Sequence, residues 1–151
     1  LISDCLVGQG KYTEAQSEER TYVEQIGEAN ITLAIELKLK VTEYLRNNCI
    51  KINNSTYFFN EAISASNSQE FEKAMWFFLI AWRMFDGDIE SLSNAFISAY
   101  NIGNLNMSAL IIGAIKEINP DEGNRYIISN LLSNSKDQTL LELLRLVRLL
   151  H

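Results

Sequence analysis

Residues 60–67 read NEAISASN, and residues 94–101 read NAFISAYN. Asn, Ile, Ser, Ala and Asn fall at the same places in both, 34 residues apart. Periodicity of that length marks stacked supersecondary units, none of which can bury its apolar face alone. The match continues downstream. Phe71 meets Leu105, Ala74 meets Ser108, Phe78 meets Ile112, and Ala81 meets Ile115. One further period sets Leu131 opposite Ile97 and Ser135 opposite Asn101, in a degenerate copy that needs a one-residue slip in its last helix.

Around this repeat the pattern predicts helices at about 13–28, 31–47, 55–67, 69–85, 89–102, 105–118, 122–133 and 136–150. The breaks fall at Asn, Ser and Gly clusters, which cap helix starts or tolerate turn conformations. The lone proline, Pro120, stands at a predicted helix start, where its missing N–H costs little. One segment reads two ways. ITLAIELKLKV, residues 31–41, alternates like a strand, yet as a helix it leaves a polar strip of Thr32, Glu36, Lys40 and Glu43. Helix is expected from its length and flanks, with a β-hairpin insertion as the alternative.

Of the 151 residues, 47% are hydrophobic, enough for a real core, and 21% are charged, as on an ordinary soluble surface. A net charge of −6 argues against an electrostatic grip on nucleic acid or anionic lipid, both of which need a basic stripe. The most apolar run, AMWFFLIAWRMF at 74–85, is broken by Arg83 and falls well short of the roughly 20 residues a spanning helix needs. It reads as an inner helix, with Met75, Phe78, Ile80, Ala81 and Trp82 in the core. Cys5 and Cys49 make neither a disulfide framework nor a metal site; two reduced, buried thiols are expected, with a single bridge between them as the alternative. Neither a basic start nor a long apolar run marks a signal peptide, and a cytoplasmic setting is expected. Leu1 in place of Met is expected of a fragment, a processed product or an excised domain.

A 34-residue period of two antiparallel helices resembles the tetratricopeptide repeat. Ala62 stands at that family's small position in helix A, and Ala74 and Ala81 at the small positions of helix B. In the second copy Gly103 sits in the turn between helices and Pro120 at the end. Residues 10–15, GKYTEA, look like the family's turn and the start of a helix B. Phe96 departs from the pattern at the small position of helix A, and Ala15 to Ala74 is 59 residues, not a multiple of 34. The resemblance implies an all-α domain of about eight helices, in antiparallel pairs stacked as a right-handed superhelix. Its parts would be N-terminal helices at 1–54, with a partial repeat as one reading of them, repeats at 55–88 and 89–122, and a degenerate repeat with the last helix at 123–151.

Residues i, i+3, i+4 and i+7 share a helix face, so Asn60, Ile63, Ser64 and Asn67 form one stripe, and Asn94, Ile97, Ser98 and Asn101 its copy. In the resembling family such positions line a concave groove that holds a peptide. Phe59, Tyr100 and Leu131 would join that groove, with Thr56, Glu90 and Ser93 within reach. Asn pairs with both groups of a peptide backbone, and the isoleucines would give an apolar floor. No cation stands at these positions, so a carboxylate clamp is not expected. The competing reading makes the asparagines cap or inter-repeat residues and the isoleucines packed core.

LLELLRLVRLLH, residues 140–151, has only a narrow polar stripe, whereas a terminal capping helix needs a broad one. Dimerisation through Leu143, Leu146, Val147 and Leu150 is one expectation, and further chain beyond is the other. No Gly-rich phosphate loop, metal-ligand cluster or nucleophile motif occurs, and the one histidine is His151. Glu18-Glu19 and Asp121-Glu122 read as solvated helix starts. No catalytic residue, metal or cofactor is expected. The sequence predicts a module that binds a protein or peptide partner, part of a larger regulator or secretion component. The alternatives are a small acidic chaperone similar to the tetratricopeptide-type chaperones of bacterial secretion systems, and a ligand- or peptide-sensing regulatory domain.

Overall fold

The computed structural model describes residues 6–7, 9–27, 30–51, 53–85 and 88–126. Among the described residues there are seven helices and no strand: α1 (Tyr12–Ile26), α2 (Leu33–Asn47), α3 (Ser55–Asn67), α4 (Phe71–Met84), α5 (Ile89–Asn101), α6 (Leu105–Ile118) and α7 (Pro120–Tyr126). None is long and apolar enough to cross a membrane. The predicted helices at 122–133 and 136–150 lie mostly or wholly outside the described residues.

The repeat is written into the helix boundaries. α3 and α5 are each 13 residues and α4 and α6 each 14, and both ends of each pair are offset by 34. Local chemistry fixes the offset. Asn54 and Asp88, one period apart, accept from the third backbone N–H of their helices, Tyr57 and Ser91, both at 3.1 Å. At the other end Gln69 (φ 61°) and Gly103 (φ 71°) take the left-handed conformation. They let Glu70 N–H donate to the Ala65 carbonyl (2.8 Å) and Asn104 N–H to that of Ala99 (3.0 Å), a helix stop in which the chain reverses within three residues. Cys49 (φ 51°) stops α2 in the same way, and Gly10 (φ 75°), just before α1, lets Lys11 N–H donate to the Leu6 carbonyl at 2.8 Å. α1 therefore leaves its turn as α4 and α6 do. Ala15, Ala74 and Ser108, each three residues past the helix start, are all fully buried.

The 31–41 segment is helical from Leu33 onward, with Thr32 as its N-cap. Leu33, Leu37, Val41 and Leu45 are buried four residues apart, and this stripe overrides the alternating pattern because it faces the bundle on one side only. The core runs along α4, from Ala74 to Trp82, and along α6, from Ser108 to Ile115. Met75, Phe78, Ile80, Ala81 and Trp82 are buried as the sequence predicts. Burying a large apolar side chain contributes about 1.5–3 kcal/mol, so these two helices dominate the cohesion of the bundle.

Sequence neighbours α3, α4, α5 and α6 pack one on the next. A linear array stops there, with each unit touching only its neighbours. Here α2 lies against α6 and also against α4, with α1 against α2. The Glu117 carboxylate at the end of α6 accepts from Leu33 N–H (2.9 Å) and Ala34 N–H (3.0 Å), the first amides of α2. Thr32 Oγ1 accepts from Ile35 N–H at 3.2 Å. Three of the amides that a helix start leaves without internal partners are thus satisfied, two of them from a distant helix.

Two expectations are corrected. Glu19 is not a solvated helix start. It is 3% exposed and accepts from Thr42 Oγ1 of α2 (2.8 Å) and Arg83 Nη2 of α4 (3.1 Å). It is drawn inside because Arg83, on the most apolar helix, requires a counter-charge when buried. Cys49 is not a buried thiol but an exposed free cysteine, because it occupies the reversal after α2 and not a core-facing position.

Candidate interaction surface

α3 and α5, 13 residues each, carry the repeated stripe, of which Ser64 is exposed but its counterpart Ser98 is buried. Ile63 and Ile97 are 38% and 40% exposed. Packed core is therefore the wrong reading of these two residues, and each stands out from its helix where the other does in the next copy. Asn60, Asn67 and Asn101 are exposed, and Asn94 is half-buried. The left-handed positions are Gln69 and Gly103, two residues beyond Asn67 and Asn101. The two asparagines are the last residues of their helices and do not make the reversal themselves.

Phe59 is half-buried, its ring edge-on to Phe78 of α4 with centroids 5.6 Å apart. Tyr100 is half-buried and stacks on Phe96 at 6.3 Å. Its hydroxyl is buried without a hydrogen-bond partner. Such a group carries a desolvation cost of about 1–3 kcal/mol until something bonds to it. Phe96 takes the position where the resemblance leads one to expect a small residue, and is buried there against Tyr100. Ser93 does not reach the surface: it is buried, and its hydroxyl also lacks a partner.

The starts of α3 and α5 converge on an open depression of about 480 Å³, which brings together three residues expected in one groove, Thr56, Phe59 and Glu90. Ser55, Phe85, Asp88 and Ile89 complete it. The repeated stripe marks none of these four as groove residues. Phe85, 63% exposed, is the last residue of the apolar run 74–85. The signal available was its place just beyond the last helical turn of α4, where a large apolar side chain has no core to enter. Between them α3 and α5 carry only two charged residues, Glu61 and Glu90, both acidic. Asp88, just before α5, is already engaged as a cap.

Leu131 and the interface residues Leu143, Leu146, Val147 and Leu150 lie outside the described residues. Among the described residues no group of three or more His, Cys, Asp or Glu is placed to hold a metal. The chain matches no family model, no curated protein and no solved structure.

Proposed function

We propose that this chain binds a protein or peptide partner along the outer faces of α3 and α5, and that it carries no chemistry of its own. In this reading the hairpins 55–84 and 89–118 are two tetratricopeptide-like units of a right-handed array, and α2 closes the array on the α4–α6 side. The observation that supports it is the repetition of exposed apolar residues. Ile63 and Ile97 stand out one 34-residue period apart, each flanked by asparagines. A side chain of that size gains nothing from water, while two equivalent ones at a fixed spacing suit an extended ligand. Asn60, Asn67 and Asn101 offer a donor and an acceptor each to its backbone. The partner expected is apolar with some basic character, because this face carries acidic groups and no cation. The setting that fits is a cytoplasmic regulator or assembly protein.

The test is a pull-down with the wild type beside Ile63→Glu, Ile97→Glu and Asn101→Ala. All three positions are exposed, so circular dichroism should be unchanged. Proteins retained by the wild type should be lost from both glutamate variants. Retention by both would rule out this face as the binding surface.

A further inference from the structure

The end of the bundle where α2, α3 and α5 stop carries a second depression, open and about 630 Å³ in volume. It lies at the opposite ends of α3 and α5 from the Phe59 depression and shares no residue with it. Its aromatic wall is Tyr44, in the last turns of α2, stacked on Trp76 of α4. The ring centroids are 4.4 Å apart and the planes 7° from parallel. Both rings are half-buried, and both line the depression. Glu70 and Glu72 stand at its edge, both exposed. Glu70 occupies the cap position of α4 but makes no capping bond with its side chain. Glu72 is close enough to Tyr44 to help burial hold the phenol above its ordinary value of 10.

The electrostatic balance of this depression favours a cation. The carboxylates outnumber the one lining cation, Lys73, whose ammonium lies 5.4 Å over the Phe77 ring. Helix C-termini are the negative ends of their dipoles. Three of them, from α2, α3 and α5, bound the depression, against a single N-terminus from α4. The shape of the wall selects among cations. Ammonium groups are held best by rings that meet at angles around a sphere. Rings stacked this closely cover each other's inner faces, so each keeps one flat outer face, which suits a planar group as a third layer. Guanidinium is planar, stacks on aromatic faces, and offers a fork of donors to carboxylates.

We propose that this depression receives an arginine side chain from a partner polypeptide, its guanidinium stacked on the Tyr44–Trp76 pair and hydrogen-bonded to Glu70 and Glu72. The proposal does not rest on the α3–α5 surface being a binding face, since either could fail alone. The test follows the indole N–H resonance of Trp76 in the full chain. It is titrated with a short peptide bearing one central arginine, with its lysine and citrulline counterparts, and with free arginine amide. Arginine should bind about tenfold more tightly than citrulline, which keeps the shape without the charge, and a few-fold more tightly than lysine. The peptide should bind more tightly than arginine amide. Glu72→Gln should weaken the arginine peptide several-fold with an unchanged melting temperature, since its side chain is exposed. Any one of four results overturns the proposal: no shift at Trp76, equal binding of lysine or citrulline, arginine amide binding as tightly as the peptide, or wild-type affinity in Glu72→Gln.

Discussion

Replacing Glu19 by leucine should be among the most damaging single changes in this chain, and adding Arg83→Met should undo most of the damage. The pair joins α1 to α4 at 3.1 Å, and the two side chains are 3% and 0% exposed. Thr42 of α2 donates to the same carboxylate oxygen at 2.8 Å, so three helices meet there. Removing the acid takes the Glu19 counter-charge from a guanidinium that is 0% exposed. Breaking a buried pair from one side costs about 3–5 kcal/mol, whereas replacing both partners by apolar residues is often neutral or stabilising. At roughly 2–4 °C per kcal/mol for a chain of this size, the single variant should melt some 6–20 °C lower. Urea unfolding of the wild type, the two single variants and the double variant closes the cycle. A drop below about 1 kcal/mol for Glu19→Leu, or a double variant as unstable as the worse single one, would refute the reasoning.

Three further outcomes are expected. Glu117→Ala removes the acceptor shared by Leu33 and Ala34. It should cost about 0.5–2 kcal/mol, and amide exchange should speed up first at residues 33–35. Gln69 holds φ 61° where its counterpart one period on is Gly103. Gln69→Gly should therefore stabilise by about 1 kcal/mol, and Gly103→Ala should destabilise; a lower urea midpoint for Gln69→Gly would contradict this. Burial raises the Tyr12 phenol above 10, and burial with Glu72 does the same at Tyr44. The folded state thus prefers the neutral phenol. Its contribution is complete below the unfolded value near 10 and is lost as pH rises through the raised values. The urea midpoint should fall between pH 9 and pH 11, and less so in Tyr12→Phe.

What the sequence made legible was local. The period, the hairpins and the core stripe of α4 follow from residue spacing, and caps such as Asn54, Asp88 and Asn104 follow from side-chain chemistry next to the helix they start. Helix α2 could be read because its flanks outweighed its alternation. The failures at Glu19 and at the start of α2 are non-local, while Cys49 was misplaced by the local reversal it occupies. Nothing near Glu19 marks it as buried, since its reason for going inside is Arg83, 64 residues away. Nothing near Leu33 points to Glu117. Of the candidate surface, the exposed Ile63 and Ile97 were readable as a repeated stripe. Ser93 was not, because a serine on a helix shows no preference for the side it ends on. The Tyr44–Trp76 wall was invisible for the same reason as Glu19: its two halves come from helices that meet only after folding.

The bond from Glu117 to the start of α2 sets a schedule for synthesis. Residues 33 and 117 are 84 apart. At roughly 5–20 residues per second, α2 leaves the ribosome about 4–17 s before its cap and its main packing partner exist. For that interval the apolar stripe of Leu33, Leu37, Val41 and Leu45 has no α6 to cover it. A nascent chain stalled short of residue 117 should accordingly be bound by holding chaperones at α2, and should release them once α6 has emerged.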